Sequence, residues 1–469
     1  MAKTRKKPNR STRKPEGKRE MPYNLVFGAL IILLFSHRFV NIAWTDDFQN
    51  DEGIHALISS TLLKGGVIYK DFDFGHPPLM PYIGAAYMSV NEVGLMQVRF
   101  LAILSSVLTA MLVYFIVRDV FGESKKTYFA TLVAVVPMTL LTLVNSISRV
   151  YYIEPFVTFL SFASVYAATK KTQNAYLVSG FLGAAALLTK FWALPAVAAI
   201  LVYLVWMDRK NLRYFLLGFF TAILPFLVYL AGSEKATQDI LWQMGRGRWT
   251  LMQKTKPVWS FYKALPFLSI ASIPILFLRR HRIVFLYTLA TIIFFYTLMP
   301  DAVSHHTYFM LPVFTLSAAI LASEVSPKNM VFWIIIGLII YSIAEKQHIR
   351  DIQSKMKSHG VKLTNVAKYV AANTDKDDAI LSDYMMISFI ADRRQAGYLV
   401  DVSEAAIFYD TLTSEKLITI SEKEKPEYII IESRFKNKKL ASFTDYINEK
   451  YVKEEPPFQY QPFELYRRK

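Results

Sequence analysis

The sequence predicts an α-helical polytopic membrane protein with a small α/β domain at its C-terminal end. Three observations lead there. Hydrophobic residues make up 53% of the 469 positions, above the usual apolar share of roughly 45–50%. Apolar runs close to the ~20 residues that cross bilayer hydrocarbon recur along the chain as far as Ile343. From about Glu345 the composition turns polar, and strand-like and helix-like patterns alternate.

The first apolar run, Tyr23–Trp44, follows a tail (residues 1–20) that contains nine Lys or Arg. Its core exceeds the ~7–15 residues of a signal peptide and no small-residue cleavage site follows, so it reads as a retained anchor with a cytoplasmic tail. Later candidate spans are Leu95–Val117, Thr127–Val144, Ile153–Thr169, Ala175–Thr189, Phe191–Met207 and Tyr214–Ala231. Ala264–Leu278, Ile283–Met299, Tyr308–Ala322 and Met330–Ile343 bring the total to eleven.

Pro78–Val90 is apolar too, but at 13 residues it suits an interfacial or re-entrant helix better than a span. Loop charge supports that choice. With eleven spans, Arg118, Lys125, Lys126, Lys170, Lys171, Arg209, Lys210, Arg213, Arg279, Arg280, Arg282 and Lys328 share a side with the basic tail, as the positive-inside rule expects. A twelfth span would put them all outside. The expected layout is therefore a cytoplasmic tail, a transmembrane domain over 21–344 with a large outer loop at 45–94, and an extracytoplasmic α/β domain over 345–469. Compact loops fit a plasma membrane. In the last domain, Ala379–Leu381 and Tyr428–Ile431 read as buried strands, with helices near Lys362–Asn373 and Ser414–Ser421.

The net charge of +17 would suggest nucleic acid in a soluble chain. Here the excess lies beside spans, where it sets orientation and meets anionic lipid. The chain has no cysteine, which excludes disulfides, thiol catalysis and Cys-zinc sites.

The outer loop concentrates Asp46, Asp47, Asp51, Glu52, Asp71, Asp73 and His76, closing on Pro77-Pro78-Leu79. Asp51 begins a surface helix whose apolar stripe is Ile54, Leu57, Ile58, Thr61 and Leu62, stopped by Gly65-Gly66. A carboxylate at a helix start is favoured by the helix dipole and stays ionised. Glu154-Pro155 sets another carboxylate at the outer end of a span, and cations gather at the same level: Arg149, Lys190, Arg246, Arg248 and the pair His305-His306 before Tyr308. Several have ordinary readings as well. Lys190 can snorkel to headgroups, Arg149 can pair with Glu154, and His305-His306 can cap a loop. Asp71 and Asp73 can terminate a turn, and Asp46 and Asp47 can mark the membrane boundary. Together, two carboxylates among cations resemble a general base and an orienting partner opposite a phosphate clamp.

The order Asp51-Glu52, then Tyr69-x-Asp71-Phe72-x-x-Gly75-His76-Pro77-Pro78-Leu79, then Arg149 ahead of Glu154-Pro155, resembles the GT-C superfamily of membrane glycosyltransferases. Within it, the chain resembles protein O-mannosyltransferases and lipid A aminoarabinose transferases. Leu188-Thr189-Lys190 before Pro195, Tyr308-Phe309-Met310-Leu311-Pro312, and the C-terminal phrases Leu381-Ser382-Asp383-Tyr384, Lys425-Pro426-Glu427-Tyr428 and Phe463-Glu464-Leu465-Tyr466 extend the resemblance over nearly the whole chain.

The resemblance implies an inverting transfer of one sugar, mannose or similar, from a polyprenyl- or dolichyl-phosphate donor to a hydroxyl on a protein, glycan or lipid acceptor. It makes Asp51 the catalytic base, with Glu52 and Glu154 orienting acceptor or sugar. Arg149 and Lys190 would hold the phosphate, His76 would shape the loop or touch the sugar, and His305, His306 and Tyr308 would complete the donor site. The chain departs from the pattern in two places. His305-His306 stand where aminoarabinose-type relatives often carry Lys or Arg, and Glu154 stands where Asp is common. A monophosphate leaving group reduces the need for a divalent cation, so no metal or other cofactor is expected. The competing readings are an ion-coupled transporter, which would place ionisable residues at mid-membrane in symmetric halves, or an assembly scaffold.

Overall fold

A computed structural model describes residues 50–91, 93–122, 147–245, 282–298, 304–313, 315–316 and 360–469, with Gly28, Ile32 and Ser36 from the first apolar run. The expected spans Thr127–Val144, Ala264–Leu278 and Met330–Ile343 lie outside the described residues, as do Asp46, Asp47, Arg246, Arg248 and the side chain of His305.

The chain enters through α1 (Asn50–Leu63), whose first turn carries Asp51 and Glu52. Gly65, at φ +91°, ends the helix in the left-handed region that only glycine occupies without strain. After an irregular stretch, α2 (Leu79–Val90) runs for 12 residues, or ~18 Å, well short of the ~30 Å hydrocarbon core. The next helices are α3 (Leu95–Phe121), α4 (Ile153–Thr169) and α5 (Gln173–Leu187). A 3-10 turn at Phe191–Ala193 leads into α6 (Leu194–Met207), which carries Pro195 in its first turn, where the missing N–H costs nothing. Then come α7 (Leu212–Gly232), α8 (Glu234–Gly245) and α9 (Arg282–Ile293). A π-helical turn, Phe294–Leu298, and a 3-10 segment, Ser304–Met310, follow α9. Among the described residues, Leu95–Asp119 and Arg209–Gly232 are long and apolar enough to cross a membrane.

Small residues set the tightest helix packing. A Cβ on Gly180 of α5 would fall 2.0 Å from the Phe215 carbonyl oxygen of α7, and one on Gly218 would fall 2.0 Å from that of Leu177. The two backbones touch, which is how apolar helices associate without a hydrophobic driving force between them. Because the obstacles are backbone atoms, Gly218→Val is expected to force the helices apart and destabilise the fold by about 1–3 kcal/mol or more. A lowered unfolding temperature of the detergent-purified variant checks this.

Residues 360–372 form α10, and the chain continues through β1 (Ala379–Ser382), α11 (Met385–Ile390), β2 (Arg394–Gln395) and α12 (Glu404–Phe408). After these come α13 (Ser414–Glu424), β3 (Tyr428–Ile431), α14 (Ala441–Lys450), β4 (Tyr451–Glu454) and β5 (Glu464–Arg468). The five strands make a mixed sheet in the order β2-β1-β3-β5-β4. The β1 strand pairs in parallel with β2 and β3, and β5 runs antiparallel to β3 and β4. Asp383, fully buried after β1, accepts backbone N–H groups from Glu432 (2.7 Å), Ser433 (3.1 Å), Arg434 (2.8 Å) and Phe435 (3.1 Å), so one carboxylate fixes the turn after β3.

The buried apolar residues fall into two main clusters. One lies among α3–α7 and α9, from Val113 through Phe162 and Ile200 to Tyr287. The other joins Ala56, Leu57 and Ile58 of α1 and Met80 of α2 to Met385, Met386 and the sheet residues Ile380 and Ile430. The first loop and the C-terminal domain thus share a core. They pack tightly at Gly53, where a Cβ would lie 2.5 Å from the Met386 backbone nitrogen.

Candidate active site

The two adjacent carboxylates that open α1 have opposite environments. Asp51 is exposed to solvent. Glu52 is fully buried and bound at both oxygens by Arg99 of α3, which donates from Nε to Oε1 at 2.7 Å and from Nη2 to Oε2 at 2.6 Å. The Tyr151 backbone N–H adds a third donor to Oε1 at 2.9 Å. A bidentate Arg–carboxylate fork fixes orientation as well as distance, so Glu52 anchors the helix start that presents Asp51. Arg99 was not among the candidate residues. The signal for it was an arginine inside the otherwise apolar run Leu95–Val117, where a charge needs a buried partner.

Tyr151 ties three helices together. Its hydroxyl donates to the Met80 carbonyl of α2 at 3.1 Å and lies 3.2 Å from Ser59 Oγ of α1. A Cβ on Gly84 would fall 1.9 Å from that hydroxyl, so this position of α2 must lack a side chain. Next to Tyr151, Tyr152 caps α4 and places Glu154 in its first turn.

Glu154 is buried and accepts Lys190 Nζ at 2.8 Å, with side-chain exposures of 4% and 9%. Lys190 therefore turns inward instead of snorkelling. Its ammonium also lies 3.4 Å from the Trp192 ring centre, a cation–π contact in a dry setting. On the same Trp192 ring, His306 packs edge-on with centroids 4.1 Å apart. Two residues on, the Tyr308 hydroxyl donates to Ser106 Oγ of α3 at 2.8 Å, and Ser106 in turn reaches the Ser148 carbonyl at 3.4 Å. Ser148 precedes the half-buried Arg149. The Leu79 N–H donates to the Leu188 carbonyl at 2.9 Å, joining the end of the first loop to the turn that carries Lys190.

The remaining loop residues sit slightly apart. His76 is held through its carbonyl by the Tyr69 hydroxyl at 2.5 Å, and its ring packs with Phe74 (5.7 Å) and His55 (6.4 Å). Asp71 closes a turn by accepting the Val67 N–H at 2.8 Å. Asp73 does more than end a turn, since it pairs with Lys235 of α8 at 3.0 Å and with Lys416 of α13 at 3.5 Å. Asp239 of α8 joins this group by accepting the Phe74 N–H at 3.3 Å.

The two acids in that cluster diverge electrostatically. Burial opposes ionisation of Asp73, but the Lys235 hydrogen bond and the charge of Lys416 outweigh it and hold its carboxyl below the usual range. Burial, with the charge of Asp73 added, pushes Asp239 up to about 6. A raised carboxylate pKa contributes stability below its unfolded value that is lost as pH rises through the folded value. Asp239→Asn is therefore expected to match the parent near pH 4 and to melt at a higher temperature by pH 7, the gap opening mostly between those limits. Thermal unfolding across pH tests it.

Of the candidate residues, the structure joins Glu52, Glu154, Lys190, His306 and Tyr308 into one connected framework. Asp51 lies at its exposed end and Arg149 beside it, while His76 belongs to the neighbouring aromatic group. Among the described residues, no group of three or more His, Asp or Glu could hold a metal ion.

Residues 75–231 match the family model described as dolichyl-phosphate-mannose-protein mannosyltransferase, a stretch that includes Glu154 and Lys190. No curated protein sequence matches the chain. The fold is similar to that of ArnT from Cupriavidus metallidurans bound to undecaprenyl phosphate, with a TM-score of 0.68 at 12% identity over 95% of this chain and 97% of that one. The same protein in its apo state gives a TM-score of 0.69 at 11% identity, again over 95% and 97% of the two chains. Residues 75–231 thus resemble the dolichyl-phosphate-mannose-protein mannosyltransferase family, and the chain as a whole shares the fold of ArnT.

Proposed function

We propose that the protein moves one sugar, mannose or a similar residue, from a polyprenyl- or dolichyl-phosphate donor to an acceptor hydroxyl at the outer membrane face. Asp51 takes the hydroxyl proton as the acceptor oxygen bonds to the anomeric carbon. The bond from that carbon to the phosphate oxygen breaks, the configuration inverts, and the lipid leaves as a monophosphate. The observation that carries this reading is the division between Asp51 and Glu52: one carboxylate faces solvent, and its neighbour is spent on fixing the helix start.

Arg149 and Lys190 face the departing phosphate in this scheme. Glu154 sets the position of Lys190 as well as that of the sugar, and His306 packs the wall around Trp192. His76, His305 and Tyr308 complete the pocket. The ArnT structure bound to undecaprenyl phosphate supports the lipid class of the donor. Loop charge supports a cytoplasmic tail, with the first loop and residues 360–469 outside.

The test is to incubate the purified protein with a panel of polyprenyl-phosphate sugars, with and without candidate acceptors, and to measure release of lipid phosphate. Release with at least one sugar, undiminished by EDTA, is the expected result. No release across the panel, together with solute flux in proteoliposomes, would replace this reading with a transporter.

A further inference from the structure

The C-terminal domain turns an aromatic pair outward. Phe408 and Tyr409, at the end of α12, are 67% and 45% exposed, and their rings meet edge-on with centroids 5.0 Å apart. The turn is well held. Lys439 Nζ donates to the Phe408 carbonyl and to Asp410 Oδ1, both at 2.9 Å, and lies 5.5 Å from the Phe408 ring centre. The exposed Lys438 stands next to Lys439. Two bulky rings held outward side by side, with lysines next to them, suit an amphipathic neighbour.

Polar contacts tie this turn to the end of a span. Lys416 Nζ donates to the Thr411 carbonyl, three residues past Phe408, at 3.4 Å and reaches Asp73 at 3.5 Å. Asp73 also binds Lys235 at 3.0 Å, and Lys235 lies three residues past Gly232, the last residue of α7. With 21 residues, α7 is ~31 Å long, enough to cross the hydrocarbon core and end at headgroup level. One of its faces, carrying Leu217, Phe220, Leu224 and Val228, is apolar and exposed, as a lipid-facing side would be. A single chain of polar contacts therefore connects the end of a lipid-facing span to the aromatic turn. Aromatic rings flanked by lysines concentrate at this layer, where the ring body is in a partly apolar medium and the ammonium reaches phosphate.

We propose that the Phe408-Tyr409 turn, with Lys438 and Lys439 beside it, seats the C-terminal domain on the headgroup–glycerol layer of the membrane. The assignment to the outer leaflet rests on the orientation proposed above, but the contact itself does not depend on sugar transfer. Seating the domain also fixes the height of Asp51, because the Met386 backbone packs directly against Gly53 two residues away.

The chain has no cysteine, so Phe408→Cys and Tyr409→Cys each introduce a single thiol for a nitroxide label. The full-length protein would be labelled and reconstituted in phosphatidylcholine–phosphatidylglycerol nanodiscs. Collision with oxygen, which concentrates in lipid, and with a water-soluble nickel chelate then reports depth. Val452→Cys is the aqueous reference, because Val452 is 54% exposed on β4, at the opposite edge of the sheet from β2. The expected result is a nickel accessibility several-fold lower at 408 or 409 than at 452, with higher oxygen accessibility. Water-like values at both aromatic positions overturn the proposal. So does protection that appears only when an acceptor glycan or peptide is added, which would assign the turn to the acceptor. Sugar release is a separate assay, so its failure leaves the depth measurement standing.

Discussion

Asp51→Asn is expected to abolish sugar transfer while leaving the protein folded and inserted. The substitution keeps the size of the side chain and removes its ability to accept a proton. A positioned general base contributes roughly 10²–10⁴-fold to rate, so turnover should fall by at least that much. Asp51 is exposed, and exposed substitutions usually change stability by less than about 0.5 kcal/mol. The unfolding temperature should therefore stay near that of the parent, and donor binding should persist. Lipid phosphate release under saturating donor measures the first effect, and thermal unfolding measures the second. Near-parental turnover would remove Asp51 from the mechanism.

Arg99→Met should do the reverse, with its first effect on the fold. The guanidinium is 1% exposed and provides both side-chain donors to Glu52. Removing one partner of a buried pair leaves an uncompensated charge and typically costs about 3–5 kcal/mol. Glu52→Gln should also destabilise, because it leaves the Arg99 charge without its counter-ion. The double variant Glu52→Gln/Arg99→Met should be more stable than Arg99→Met alone. A neutral amide at position 52 has little desolvation penalty and can still accept the Tyr151 N–H. Unfolding measurements on the four proteins yield the coupling, and strictly additive effects would disprove the pair as a unit. Turnover of the folded fraction should fall as well, since the first turn of α1 loses its anchor to α3.

How much of this was legible in the sequence depends on the distance over which the information acts. Hydrophobic runs are local, and α4 occupies Ile153–Thr169, the same bounds as the apolar run that predicts it. The short length of the 78–90 run likewise anticipates the 12-residue α2. Pairing is not local. Glu154 and Lys190 were each visible as charges at span ends, yet nothing over 36 residues of sequence says that they meet. Arg149 was the nearer cation to Glu154 in sequence and so the natural partner to suggest.

Arg99 was missed because the run around it is apolar enough to hide one charge. Asp73 looked like a turn residue, and its tie to Lys416 spans 343 positions. Lys190 at a helix junction permitted both snorkelling and burial, and only the packing of Trp192 and His306 decides for burial. Asp51 could be placed at a helix start from sequence because a helix start is a local feature, whereas the anchor that fixes it is assembled from three distant segments.

The core shared by α1 and the C-terminal sheet has a consequence for building chimeras. The stretch that matches the family model, 75–231, begins after α1 and ends before the C-terminal domain. A transplant of residues 360–469 alone into a relative would set a foreign α11 against an unchanged helix, at a contact that tolerates no Cβ at position 53. A graft of the C-terminal domain would need to carry Asn50–Leu63, Lys64 with its partner Asp392, and Asp73 with Lys416 as one piece.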